Sequence, residues 1–207
     1  MGPVFDEAEE ARLREAVAAA EARTGAEIVV MAVARATDTR AAEMTAAALF
    51  ALAVPAALLP FPDVPALVIW LTQLAAFTVL ATALPVSGLG HRLLGPERRA
   101  ARVRAAAEAQ FFALGLRNTT RRAAVLIFVS MAEREAHVLY DDAAGAKVGP
   151  AQWRGLAGGV ARGIKAGDAG GALAAAATRA GDLLAPHFPR AEDDGNELPD
   201  VVIGEGA

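Results

Sequence analysis

The longest apolar stretch runs from Met44 to Val86. It consists of two segments separated by the turn Pro60-Phe61-Pro62-Asp63-Val64-Pro65, with charged and apolar residues mixed on either side. The second segment, Val64 to Val86, contains no ionisable residue and carries Leu67, Val68, Ile69, Trp70, Leu71, Leu74, Phe77, Val79, Leu80 and Leu84. At about 1.5 Å rise per residue it is long enough to cross a hydrocarbon core of ~30 Å. The first segment, Ala41 to Leu59, is shorter and richer in alanine, and Pro55 inside it frees a carbonyl that neighbouring contacts must satisfy. The pair predicts a transmembrane helical hairpin. Each Leu, Ile, Phe or Val near a helix centre gains roughly 0.3 to 0.6 kcal/mol on insertion, so the second segment inserts by itself and the first inserts with its partner. Ala46, Ala47, Ala53 and Ala57 let the two backbones approach closely. The alternative is a hairpin buried in a soluble helical protein; a signal peptide fails on position and lacks a cleavage context. Asp63 ahead of Pro65 predicts an N-cap with proline in the first turn.

Outside the hairpin the rhythm changes. Asp6 with Glu9 three residues on is a capping-box pattern, and Ala8, Ala11, Leu13, Val17 and Ala20 form the apolar stripe of a helix to about Arg23, with Gly25 expected to supply a positive-φ stop. Ala26 to Val33 is a continuous apolar run of strand length, expected to be covered on both faces. After the hairpin, Pro96 opens a helix lined by Ala100, Val103, Ala107, Phe111 and Leu114 and ended by Gly115. Ala123 to Ser130 and Glu135 to Tyr140, joined by Met131-Ala132-Glu133-Arg134, read as a β-hairpin. Past the Gly149-Pro150 break, Gln152 to Lys165 carries Trp153, Leu156, Val160 and Ile164 on one helical face. The turn Gly167 to Gly171 then leads into an alanine-rich helix to about Leu184, stopped at Pro186. The expected organisation is an α/β domain over 1–40 and 88–190, interrupted by the hairpin at 41–87 and followed by a flexible acidic tail at 191–207.

Composition narrows the options. The chain has 207 residues and a net charge of −4. Arginines cluster beside the apolar segments rather than among aromatic stacking residues, so nothing points to nucleic acid. The absence of cysteine excludes disulfides, thiolate metal sites and a cysteine nucleophile. Arg12, Arg14, Arg23, Arg35 and Arg40 precede the hairpin and Arg92, Arg98, Arg99, Arg102 and Arg104 follow it, whereas the connecting turn holds only Asp63. The positive-inside rule then makes this a two-pass protein of the bacterial inner (cytoplasmic) membrane with both termini cytoplasmic. Heavy use of alanine, arginine and glycine fits a GC-rich bacterial genome.

Two motifs resemble the TPM domain family, also called TPM phosphatase or thylakoid-lumen-protein-like domains. They are Arg23-Thr24-Gly25-Ala26-Glu27-Ile28-Val29-Val30, and Val125 to Ser130 continuing through Met131-Ala132-Glu133-Arg134. Lys147-Val148-Gly149, Trp153 and Ile164 to Asp168 extend the likeness over most of the chain outside the hairpin. The resemblance implies a Rossmann-like three-layer α/β/α domain. It also implies phosphate-ester hydrolysis, divalent-cation binding, or a part in the assembly or repair of membrane complexes. The chain departs from the pattern at Thr120-Arg121-Arg122-Ala123, where family members often carry an acidic or asparagine residue and a glycine.

Candidate chemistry is sparse. Glu133, Asp141 and Asp142 form the one carboxylate cluster near a predicted strand end, and their oxygens could hold Ca²⁺ or Mg²⁺. Adjacent carboxylates at a turn are commonly solvated or capping groups instead. Arg98, Arg99, Arg102 and Arg104 form a basic helix suited to anionic headgroups, or merely satisfy the topology rule. His91, His137 and His187 lack metal-site spacing, Ser130 lacks a Gly-x-Ser-x-Gly elbow, and Gly158 to Gly163 is not followed by the lysine and hydroxyl of a phosphate loop. Trp153 reads as core, and Trp70 lies too deep in its segment to be an interfacial anchor. The expectation is a non-catalytic, membrane-anchored domain whose partners are the lipid bilayer and another membrane protein. A divalent-metal-assisted phosphatase and an anionic-lipid-binding scaffold are the alternatives.

Overall fold

The computed structural model describes residues 4–61, 63–87, 95–118, 123–191 and 200–204. The chain divides into two compact units, Met1–Ala36 with Ala100–Ala207, and Thr37–Arg99.

The first unit is mixed α/β. Helix α1 (Glu7–Glu21) starts with the expected capping box: the Asp6 carboxylate accepts from the Glu9 N–H at 2.7 Å, and the Asp6 N–H donates to Glu9 at 3.2 Å. It ends two residues earlier than its apolar stripe suggested. Gly25 is not its stop, because the positive-φ glycines among the described residues are Gly115 and Gly167. The Gly25 N–H and the Thr24 hydroxyl both donate to the Phe188 carbonyl at 2.8 Å, tying the start of the first strand to the segment just past the last helix.

Strands β1 (Glu27–Val33), β2 (Ala124–Ser130), β3 (Glu135–Tyr140) and β4 (Val201–Gly204) form one sheet in the order β3-β2-β1-β4. β2 runs parallel to β1 and β3 returns antiparallel to β2, as the short connection required. That connection turns at Arg134, whose φ is +53°. β4 corrects the flexible tail expected over 191–207: Val201 to Gly204 pairs in parallel with Val30 to Val33, and Ala34 donates to the Gly204 carbonyl at 3.2 Å. Val201-Val202-Ile203 is too short a run to stand out beside the acidic residues before it, and its strand character comes from the exposed edge of β1.

Side chains alternate along β1 and β2, so each strand serves both faces. Ile28, Val30, Ala32, Val125, Ile127 and Val129 join one buried cluster. It also takes Leu13 and Val17 of α1, Trp153 and Val160 of α6 (Pro150–Ala166), and Leu173 and Ala177 of α7 (Ala169–Leu184). Val29, Met31, Leu126 and Phe128 join a second cluster with Val103, Ala107 and Phe111 of α4 (Pro96–Ala113). Helices thus supply apolar cover to both faces, which is why both strands read as unbroken apolar runs. A short helix, α5 (Asp142–Lys147), precedes α6 and was not apparent from the sequence.

The second unit contains α2 (Arg40–Leu58) and α3 (Ala66–Ser87), the two expected hairpin helices. By length and mean hydropathy, 1.7 and 2.0, each could cross a membrane. α2 passes through Pro55, and the Pro55 carbonyl still accepts from Leu59 at 2.8 Å. Pro65 rather than Asp63 stands at the start of α3, its carbonyl accepting from Val68 and Ile69. In chain order the whole unit lies in the crossover between β1 and β2.

Candidate functional site

Because β1 and β2 are parallel, their carboxyl ends emerge side by side, where open α/β sheets ordinarily bind ligands. Ser130 closes β2 and is fully buried, and its hydroxyl donates to Oε2 of Glu133. Glu133 is only 4% exposed, and the same oxygen accepts from the Ala36 N–H at 3.3 Å. Two backbone bonds run alongside, Met131 N–H to the Val33 carbonyl and Ala132 N–H to the Ala34 carbonyl, both at 3.0 Å. Glu133 therefore clasps the β2–β3 turn to the chain leaving β1. A buried serine bound to a carboxylate that is itself engaged by the backbone has no approach for a substrate, so this edge is held shut rather than prepared for attack.

Asp141 lies at the opposite end of the strands, just past β3. Six residues of β3 at about 3.3 Å each put roughly 20 Å between it and Glu133. Its Oδ1 accepts from the Ala144 N–H at 3.0 Å and caps α5, while its own N–H donates to the Ala124 carbonyl at 3.1 Å. Oδ2 is buried with no hydrogen-bond partner among the described residues. Burial raises the carboxyl pKa above its usual value, with the Asp142 charge adding and the backbone contacts of Ala144, Ala124 and Ala143 opposing. Asp142 points into solvent near Arg117, at 3.8 Å.

The expected Glu133, Asp141 and Asp142 cluster for Ca²⁺ or Mg²⁺ is therefore not assembled. The physical reason is the hairpin itself, which puts its turn and the far end of its return strand at opposite ends of the sheet's strands. Among the described residues no group of three His, Asp or Glu side chains is placed to hold a metal ion. Asp141 alone offers a single orphan oxygen, far short of the six to eight that Ca²⁺ takes.

The remaining candidates are also accounted for. His137 stands on β3 opposite Phe128, and burial lowers its pKa, helped by Arg104 and opposed by Glu135 and Glu108. His187 is exposed, and His91 lies outside the described residues. Trp153 is core, stacked on Tyr140 with centroids 5.4 Å apart. On α4, Arg98 and Arg102 are exposed and Arg99 is half-buried, whereas Arg104 binds Glu108 one turn on at 2.8 Å. A groove of about 460 Å³ between α6 and α7 is lined by small residues such as Gly155, Gly159 and Ala172, with Gln152 and Arg179 but no carboxylate, histidine or hydroxyl.

Two further carboxylates, one buried and one half-buried, carried little signal in the sequence. Glu43, in the first turn of α2, is buried and accepts from the Thr39 hydroxyl at 2.7 Å. A lone acidic residue four places after a threonine at a helix start was the available signal. Glu21 accepts from the Ile28 N–H at 2.9 Å, and its pKa is raised to about 7, first by burial and then by repulsion from Asp200 and Glu27. Only the docking of β4 brings Asp200 there, so the sequence carried no signal for it.

No protein-family profile and no curated protein matches the chain. Among solved structures, the NMR structure of the BA42 protein from the psychrophilic bacterium Bizionia argentinensis is similar to it, with a TM-score of 0.61. The two are 18% identical, and the match covers 99% of this chain and 97% of that one. At that identity the likeness is one of fold alone: the chain shares the mixed α/β architecture of that protein.

Proposed function

We propose that the chain is a TPM-like domain of Rossmann-like three-layer α/β/α form, tethered to the bacterial inner membrane by the α2–α3 hairpin. Both termini are cytoplasmic, and the domain acts through protein contacts in membrane-complex assembly or maintenance rather than by catalysis. The observation that carries this reading is α3, which has no ionisable side chain and no buried residue and exposes Leu67, Trp70, Leu71, Leu74 and Val79. Such a surface has no stable place in water. In support of a non-catalytic role, the expected carboxylates lie at opposite ends of the strands and Ser130 is sealed by Glu133. Loss of Arg104 to Glu108 weakens the lipid-scaffold alternative.

The chain has no cysteine, so single cysteines report topology cleanly. With Asp63→Cys and Glu7→Cys variants in intact cells, an impermeant thiol reagent should label position 63 alone, and position 7 only after the inner membrane is opened. The reverse pattern overturns the orientation, and recovery of the chain in the aqueous fraction after cell breakage overturns the anchor. Hydrolysis of an aryl phosphate by the purified chain, abolished by Asp141→Asn, would overturn the non-catalytic role.

A further inference from the structure

A groove of about 360 Å³ runs between α2 and α3. Ala48 and Ala51 of α2 form part of its wall, and Trp70, Gln73, Leu74 and Phe77 line it from α3. The α3 positions fall at i, i+3, i+4 and i+7, a single face of one helix. The short alanines give the groove depth, while Trp70 and Leu74 stand 73% and 57% exposed at its side. The α2–α3 pairing therefore leaves Trp70 and Leu74 without cover and Gln73 half-buried between them.

Gln73 sets the face apart from the rest of α3. The hydroxyls of Thr72, Thr78, Thr82 and Ser87 all bond back to carbonyls of their own helix, at 2.7 to 2.9 Å. The Gln73 carboxamide makes no such return and has no hydrogen-bond partner among the described residues. It lies about four residues from the middle of the helix, so about 6 Å from the bilayer midplane if α3 spans. No headgroup reaches that depth, and an acyl chain would fill the groove without offering a donor or an acceptor.

We propose that the hairpin pairs with a second copy of itself in the bilayer, α3 of each copy seated against the α2–α3 groove of the other, with the two Gln73 carboxamides bonded across a two-fold axis. This rests on the membrane-anchored reading above. A carboxamide carries both a donor and an acceptor, so one residue repeated by two-fold symmetry satisfies itself. Alanine at position 48, which is partly exposed beside the groove, lets the partner backbone approach, as helices require where lipid removes the usual hydrophobic drive.

The test uses the full chain with Val4→Cys, labelled with donor or acceptor dye and reconstituted in phosphatidylethanolamine–phosphatidylglycerol vesicles. Energy transfer should fall on lipid dilution along a monomer–dimer curve. Gln73→Leu should raise the dissociation constant by roughly three- to twentyfold, the range of single interhelical hydrogen bonds in membranes. Gln73→Asn should restore part of the loss, and Ala48→Leu, which narrows the groove from its partly exposed wall, should weaken pairing although it adds apolar surface. Thr72→Leu, which lies off the groove, should leave the constant unchanged. Transfer that is absent while the chain stays in the vesicles overturns the dimer and leaves the anchor standing. A constant unmoved by Gln73→Leu overturns the carboxamide pair. A chain that leaves the vesicles overturns both readings together.

Discussion

Strand β2 and helix α3 are drawn from the same apolar alphabet and have opposite surroundings. All seven residues of β2 are buried, and none of the 22 in α3 is. A strand cannot satisfy its own backbone, so Ala124 to Ser130 must lie between β1 and β3, and the amphipathic helices that cover those strands cover β2 as well. A helix of α3's length satisfies its backbone internally and asks only for an apolar surrounding, which lipid supplies as well as protein does. Apolar composition alone does not separate the two cases. What separates them is length, and whether the neighbouring segments have an apolar face to offer.

The same charge placed in each region breaks that comparison most forcefully. Ile127→Asp puts an unpaired carboxylate into the core of the sheet, at a cost on the order of 4 kcal/mol or more, and should abolish the cooperative thermal transition of the purified chain. Leu71→Asp, exposed on α3, should leave that transition in place. Its cost appears in the bilayer instead, at most the roughly 2.5 to 3.5 kcal/mol of a helix-centre carboxylate because Leu71 lies toward one end of α3, read as a smaller membrane fraction after alkaline extraction. If both variants unfold alike, the two regions share one core and the contrast between β2 and α3 fails.

The two tryptophans give a smaller version of the same contrast. Trp153 is 2% exposed and stacked on Tyr140, so Trp153→Ala should destabilise the α/β unit by about 3 to 5 kcal/mol in a denaturant titration. Trp70→Ala should change that titration by less than about 0.5 kcal/mol, the usual effect at an exposed site. Brominated acyl chains sharpen the result, since they should quench Trp70 in a Trp153→Phe protein and spare Trp153 in a Trp70→Phe protein.

This contrast also explains what could be read from the sequence. β1, β2, α1, α4, α6 and α7 were legible because their apolar periods are long and their caps are local, as with Asp6 and Glu9. β4 was not, since Val201 to Gly204 becomes a strand only by docking on the open edge of β1. The acid cluster failed for a related reason: nearness in sequence made Glu133 and Asp141 look like neighbours, and the antiparallel return of β3 carries them apart. Short-range signals survived, whereas features that depend on which edge meets which were lost.

The smallest expected effect lies where a charge enters the covered unit after all. Glu21 is partly buried beside Glu27 and Asp200, and its pKa is raised from the carboxylate range to about 7. A raised carboxyl pKa means the folded chain holds its proton more tightly than the unfolded chain does. Stability is therefore highest below pH 4.5 as far as this group is concerned, and declines as pH rises toward 7. His137 works in the opposite sense, because its lowered pKa makes the fold lose stability as pH falls, so only a difference between proteins isolates Glu21. Glu21→Gln keeps an oxygen for the Ile28 N–H and removes the charge. Its melting temperature should match the parent near pH 4.5 and exceed it by about 2 to 4 °C at pH 7.5, roughly 1 kcal/mol after allowing for partial exposure. The strain should fall first on β4, since Val30 donates to the Asp200 carbonyl at 2.9 Å and the Asp200 charge helps raise the Glu21 pKa, against the Ile28 N–H bond and the Arg190 charge that lower it. The Val30 amide, corrected for its intrinsic rate, should exchange faster at pH 7.5 than at pH 5 in the parent and not in the variant. Equal protection in both proteins at both pH values would mean that β4 is held independently of Glu21, and the pH slope would have to come from elsewhere.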